Sequence, residues 1–315
     1  KKTALEFASK RSALIAASSR GHTSLVKILL EKGADVEAQN FINGTTLIAA
    51  SFGGYISLVE ILLEKDADIN AQAGQYGTPL MAASSGGHTS LVKILLEKGA
   101  NVNTQADYYG TALIAASLHG HTSLVEIFLE NGADLNAQAS DYGTALIAAS
   151  FNGHISLAEM LLERGADINA HTGEYGTALI AASYGGYASL VETLLEKGAD
   201  LNAQAEEYGN ALTIASFEDH KSVVEILLEK GADVNAQAGS DVTALIAASS
   251  EGHTSLAEML LDKGAYVNAQ ADYHGTALIA ASFGSHTTLV KILLEKGADV
   301  NAQAGYPGTA LIAAF

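Results

Sequence analysis

Residues 111–117 read Thr-Ala-Leu-Ile-Ala-Ala-Ser, and this string decides the fold because it recurs along the whole chain with little change. Its first position returns every 33 residues without an insertion, at Ser12, Thr45, Thr78, Thr111, Thr144, Thr177, Asn210, Thr243, Thr276 and Thr309. Constant spacing of this kind is typical of repeat architectures, in which each segment is one structural unit that packs on the next.

The spacing divides the 315 residues into one array with two incomplete ends. Residues 1–11 are an N-terminal cap or tail, and residues 309–315 are a partial repeat that stops within a helix, which suggests a fragment of a longer array or an end that docks on another molecule. We number the nine full repeats in chain order, at 12–44, 45–77, 78–110, 111–143, 144–176, 177–209, 210–242, 243–275 and 276–308.

Each repeat is predicted to form two short helices. In the fourth repeat, Thr111 is a suitable N-cap for the first helix, whose small Ala residues let a neighbouring helix approach closely. Ser123 and Glu126 match a capping box for the second helix. Gly132 then stands where a left-handed C-cap is expected. The second repeat has Asp66 at that place, and we expect a local weak point because aspartate tolerates this conformation less well than glycine.

The pattern resembles the ankyrin repeat. In the fourth repeat the matching residues include Thr111-Ala112-Leu113, Gly120-His121 and Gly132-Ala133-Asp134. The resemblance implies an all-α ankyrin-repeat solenoid, with a helix-turn-helix and a hairpin-like loop in each repeat, that forms a curved, elongated rod. The sequence around Tyr-Gly-Thr-Ala-Leu is most similar to the ankyrin arrays of filamentous-fungal NOD-like receptor proteins. That finer resemblance implies the recognition region of a larger sensor.

Composition narrows the classes of partner. The chain has 17 Lys and Arg against 35 Asp and Glu, so its formal charge is −18. This charge repels phosphate, and we therefore expect neither nucleic acid nor a membrane surface as partner. The absence of Cys excludes disulfides and thiolate chemistry and is compatible with a reducing compartment. Without a signal-peptide pattern at the first residues or a long apolar run, the expected location is cytoplasmic.

Histidines and carboxylates recur with the repeat, which argues against a catalytic or metal site. The histidines match the family's Gly-His turn and occur at most once per layer, too far apart to share one zinc ion: His22, His88, His121, His154, His220, His253 and His286. No repeat breaks the pattern to build a unique catalytic pocket. We therefore predict a protein that is not an enzyme and that carries no cofactor and no metal.

Positions that vary while the scaffold repeats are the best candidates for function. The end of the first helix is one such position, and the resemblance places it on the concave face. The predicted partner-binding residues there are Phe52, Leu118, His119, Phe151, Asn152, Tyr184, Phe217, Glu218 and Phe283. Aromatic residues commonly anchor interfaces. The alternative is that these rings cover the junction between helices.

The hairpin tips vary as well. The predicted partner-binding residues at the tips are Asp107, Tyr108, Asp141, Glu174, Glu207, Asp272 and Tyr273. Their acidic members would favour a basic ligand, or alternatively form a solvated edge that keeps the array soluble. A tyrosine recurs in one register, as Tyr76, Tyr109, Tyr142, Tyr175 and Tyr208. We expect these rings to be structural supports between adjacent hairpins.

The sequence thus predicts a non-catalytic scaffold that binds a protein or peptide, with a basic one favoured, through the concave face. The alternative is a structural array that self-associates end to end through its uncapped ends, since heterologous contacts of that kind can propagate.

Overall fold

The computed structural model describes residues 13–172, 175–206, 208–239, 242–272 and 275–303, together with Ala310. The chain divides into two compact parts, Lys1–Asp167 and Ile168–Phe315, here called the N-terminal part and the C-terminal part. The predicted cap at 1–11 and, apart from Ala310, the partial repeat at 309–315 lie outside the described residues. End-to-end association, which depends on those ends, therefore stays a prediction.

In the N-terminal part, short and longer helices alternate. The first helices of the repeats are α1 (described over 13–18), α3 (Thr46–Phe52), α5 (Pro79–Ser85), α7 (Ala112–Leu118) and α9 (Ala145–Phe151). The second helices are α2 (Thr23–Glu31), α4 (Ile56–Glu64), α6 (Thr89–Glu97), α8 (Thr122–Glu130) and α10 (Ile155–Glu163).

The C-terminal part continues the same alternation. Its first helices are α11 (Ala178–Tyr184), α13 (Ala211–Phe217), α15 (Ala244–Ser250) and α17 (Ala277–Phe283). Its second helices are α12 (Ala188–Glu196), α14 (Lys221–Glu229), α16 (Thr254–Asp262) and α18 (Thr287–Glu295).

The first helices form the centre of each part. Helix α7 packs against α5 on one side and α9 on the other, and all seven of its residues are buried. Small side chains make this possible, since Ala115 and Ala116 leave room for backbones to approach. Ile114 is also fully buried. Helix α8 instead buries one stripe, at Leu124, Val125 and Phe128, and its other residues are half-buried or exposed.

The N-cap prediction for the first helix is confirmed. The Thr111 hydroxyl accepts a hydrogen bond from the Ile114 amide at 3.3 Å, and Asn210 caps α13 in the same way at 2.8 Å from Thr213. The capping box predicted for the second helix is wrong. Helix α8 starts at Thr122, its N-cap is His121, and no side chain bonds to the cap. Ser123 therefore lies inside the first turn, where it cannot cap.

Tight hairpins connect the repeats. Strand β1 (Gln39–Asn40) pairs antiparallel with β2 (Gly44–Thr45), and β3 (Gln204–Ala205) pairs with β4 (Gly209–Asn210). Other described hairpins keep a single bridge, such as Ala106 to Gly110. Gly110 has φ +69°, and a Cβ there would lie 2.3 Å from the Cβ of Ala139 in the next hairpin. Close stacking of these two hairpins therefore requires glycine at position 110.

An asparagine that follows the second helix ties one repeat to the next in several described repeats. The Asn103 side chain donates to the Gly132 carbonyl at 3.0 Å and accepts from the Asp134 amide at 2.8 Å. Asn169 makes the equivalent pair of bonds in the C-terminal part. These bonds satisfy backbone groups of the loop that follows the second helix of the next repeat.

The left-handed C-cap of the second helix is confirmed. Gly99 has φ +96°, and other glycines of this register have similar values. Asp66 adopts the same region with φ 63°. The second repeat therefore carries a non-glycine residue in a conformation that favours glycine.

Candidate protein-binding surface

A ladder of histidines holds the ends of the first helices in place. The Nε2 atom of His88 lies 2.8 Å from the carbonyl oxygen of Phe52, the last residue of α3 in the preceding repeat. Because a carbonyl oxygen only accepts, the ring must carry its proton on Nε2. The same bond joins His121 to Ser85, His154 to Leu118, His220 to Tyr184, His253 to Phe217 and His286 to Ser250.

Glycines make room for this ladder. A Cβ at Gly54, which has φ +71°, would lie 2.5 Å from the His88 ring. Tyr55 takes the histidine's place in the second repeat, and its ring packs across Gly21 and Gly53. The ring thus bridges consecutive repeats. Among the described residues, no three His, Asp or Glu side chains are grouped closely enough to hold a metal ion.

The helix-end aromatic residues differ in exposure. Phe52 is 40% exposed, Phe217 41% and Phe283 68%. Phe151 and Tyr184 are half-buried. Leu118 is only 7% exposed, so it contributes packing between helices and little contact surface.

The polar helix-end residues also differ. His119 bonds to its own helix, with Nδ1 2.9 Å from the Ala115 oxygen. Asn152 donates to the Leu118 carbonyl at 2.7 Å, which makes it a link between repeats. Glu218 is half-buried and lines a cavity described below.

At the hairpin tips, Asp107, Tyr108 and Asp272 are exposed, and Asp141 is half-buried. The remaining predicted tip residues, Glu174, Glu207 and Tyr273, lie outside the described residues. Asp107 and Asp141 thus lie in hairpins that carry a register tyrosine, Tyr109 and Tyr142, whereas Asp272 lies in a later hairpin without one.

In the N-terminal part, the tyrosine register forms a continuous stack. Tyr76 and Tyr109 are nearly parallel with centroids 6.4 Å apart, and Tyr109 and Tyr142 are 6.3 Å apart. Phe52 stacks on Tyr76 at 4.2 Å. Tyr108 meets Tyr142 edge-on, with a 3.1 Å bond between their hydroxyls. Burial raises the pKa of Tyr109 above its ordinary value.

These contacts support the predicted role of the tyrosines as props between hairpins, and they add a relationship that sequence reasoning missed. The sequence places Phe52 at the end of a helix and Tyr76 in a hairpin, yet their rings form one surface. The sequence carried a signal for this contact, because the helix-end position of Phe52 and the hairpin position of Tyr76 both recur in every repeat.

The C-terminal part has a compact aromatic cluster. Tyr175 and Tyr208 stack at 5.3 Å, and Tyr184 meets Tyr208 at 5.5 Å with an interplanar angle of 67°. The register then loses its tyrosine, since the next hairpin has Asp241 at this position. A cavity of about 440 Å³ lies beside Tyr208, and its walls include Tyr184, Phe217, Glu218 and Thr213.

The model of the family described as "Ankyrin repeats (3 copies)" matches residues 2–73, 47–139, 80–172, 145–238 and 236–304. The chain belongs to the ankyrin-repeat family. Ankyrin repeats mediate protein–protein interactions and are a non-catalytic interaction fold.

A solved structure supports the fold of this ankyrin-repeat protein. The crystal structure of the human ASB11 ankyrin repeat domain matches with a TM-score of 0.59 and 26% identity, over 70% of this chain and 98% of that one. No curated protein matches the chain. Within the described residues, no helix combines the length and the apolar character that crossing a membrane requires.

Proposed function

We propose that the chain is a non-catalytic scaffold that binds a protein or peptide through its concave face. We define this face as the ends of the first helices together with the adjoining hairpin tips. The observation that carries the proposal is the aromatic surface in which Phe52, 40% exposed, stacks on Tyr76 at 4.2 Å. Exposed rings held by packing lose little entropy on binding, which is why aromatic residues serve as anchors.

The negative charge of the chain indicates the charge of its partner. The chain carries −18 overall, Asp107 is exposed two residues before Tyr109 in the same hairpin, and Asp272 is exposed in a later hairpin. Complementary charge speeds association and selects partners. We therefore propose a basic protein or peptide as partner, and neither nucleic acid nor an anionic membrane.

The resemblance to fungal NOD-like receptor arrays supports a further proposal, that the chain is the recognition region of a larger sensor. The absence of cysteine is compatible with a reducing compartment, and we propose a cytoplasmic location.

The test is a binding measurement on a partner found by affinity capture with the purified chain. Phe52→Ala and Phe217→Ala should each weaken the affinity about tenfold or more, as expected for an anchor residue. Tyr266→Ala is the matched control, because Tyr266 is 68% exposed but lies in the loop after α16. Equal loss in all three variants, or none in the two Phe variants, would contradict the assignment of this face.

A further inference from the structure

The cavity beside Tyr208 lies where the repeat pattern breaks. In the sixth repeat, Ile180 reaches under the glycine of the preceding hairpin, and a Cβ on Gly176 would lie 3.5 Å from its Cδ1. The seventh repeat has Thr213 at this position, and its hydroxyl donates a hydrogen bond to Asn210 Oδ1 at 2.7 Å. A shorter side chain therefore lines the floor of the cavity.

The next hairpin, residues 239–242, reads Gly-Ser-Asp-Val and contains no aromatic residue. The preceding hairpins from the second repeat onward each carry a tyrosine at this register position. Two departures from the repeat, one in a helix and one in a hairpin, thus coincide at one cavity.

The walls combine aromatic faces with carboxylates. Tyr184, Tyr208 and Phe217 supply rings, and Phe217 is 41% exposed. Glu206 and Glu218 supply negative charge, Glu206 exposed and Glu218 half-buried. The described residues that line the cavity include no Lys, Arg or His, so these charges have no cation among the lining side chains.

We propose that this cavity receives an arginine side chain of the protein partner. The proposal rests on the proposed function in one respect, namely that the chain binds a protein. A guanidinium is planar, stacks on aromatic faces and forms two parallel hydrogen bonds to a carboxylate. A lysine ammonium is compact and strongly hydrated, and it matches this combination of rings and carboxylates less well. The cavity volume is also within the range of small-ligand pockets.

The test uses a probe that needs no knowledge of the partner. N-acetyl-arginine amide is titrated into the isotope-labelled chain, and amide chemical shifts are followed by NMR. Saturable shifts are expected at residues around Tyr208, Phe217 and Val242. N-acetyl-citrulline amide has nearly the same shape without the charge, and N-acetyl-lysine amide has the charge without the plane. Both should bind about tenfold or more weakly than the arginine probe.

Two substitutions localise the binding. Glu218→Gln should weaken binding of the arginine probe about tenfold, because a charge-assisted bond becomes a neutral one. Glu251→Gln is the matched control, since Glu251 has the same position in the next repeat, is exposed and does not line the cavity. Thr213→Ile restores the residue that most other repeats carry and should abolish binding while the amide spectrum elsewhere is retained.

The proposal is overturned if the arginine probe gives no saturable shifts, or if the citrulline probe binds as well. Equal effects of Glu218→Gln and Glu251→Gln would also overturn it. If the probe fails while a captured partner still depends on Phe52, the cavity assignment is wrong and the proposed function stands. If the probe binds and no partner depends on the concave face, the proposed function fails separately.

Discussion

The imidazole of His88 donates a 2.8 Å hydrogen bond to the carbonyl of Phe52, which lies 36 residues earlier in the chain. This bond satisfies a carbonyl at the end of α3, where the helix itself supplies no partner. It also fixes the backbone of an exposed aromatic residue. The scaffold and the candidate binding surface are therefore joined through one histidine.

His88→Ala is expected to lower the free energy of unfolding by about 1–3 kcal/mol, because it removes the bond and leaves a space against Gly54. His88→Tyr should cost less, since Tyr55 and Tyr187 occupy this position in other repeats. Urea unfolding followed by circular dichroism measures both. If the tyrosine variant were as unstable as the alanine variant, packing of the ring would not be the reason for its place in the repeat.

Mild acidification should lower the free energy of unfolding, and protonation of His121 should contribute to this loss. Burial lowers the pKa of its ring below the ordinary value, so the unfolded chain binds this proton more tightly than the folded chain. The contribution is fully present above about pH 6.5 and is lost as pH falls from there towards the lower folded pKa.

His121→Tyr removes this titration while keeping a ring. As pH falls from about 7.5 to about 5.5, the wild type should therefore lose more unfolding free energy than His121→Tyr does. Taking the difference cancels the carboxylates that both proteins share. A difference that stays constant over this range would show that His121 does not contribute.

Asp66→Gly should stabilise the second repeat by about 0.5–1 kcal/mol, because it relieves a left-handed conformation on a residue with a Cβ. Hydrogen exchange should be faster around Asp66 than around Gly99 in the wild type and should become similar in the variant. Gly99→Asp is the matched reverse substitution and should speed exchange in the third repeat. Exchange that is equally slow at both places in the wild type would contradict the predicted weak point.

Two buried serines in the same register should respond in opposite ways to alanine. The Ser117 hydroxyl donates to the Leu113 carbonyl at 2.8 Å, whereas the buried Ser150 hydroxyl has no hydrogen-bond partner among the described residues. Ser117→Ala should cost about 0.5–1.5 kcal/mol, and Ser150→Ala should be neutral or stabilising. Calorimetric or urea unfolding compares them directly. Equal losses in both variants would mean that Ser150 also forms a bond in solution.

Much of the local structure could be read from the chain alone. The N-cap at Thr111 and the helix end at Gly99 could be predicted because helix caps depend on backbone groups a few residues away in the chain. The capping box at Ser123 failed because the turn before α8 places the N-cap at His121, two residues before the predicted Ser123. The period indicated a stacked array, since a single repeat cannot bury its own apolar face, and the resemblance of its motifs implied the ankyrin fold.

The sequence by itself determined the period, the order of helices and hairpins, and the positions that vary between repeats. Only the tertiary structure decided what those positions touch. The bond from His88 to Phe52, the stack of Phe52 on Tyr76 and the cavity between Tyr208 and Thr213 depend on how one repeat packs on another. A pattern along the chain shows which face a residue shares with its near neighbours. It does not show the distance to a ring supplied by the next repeat, because that distance depends on the packing of both backbones.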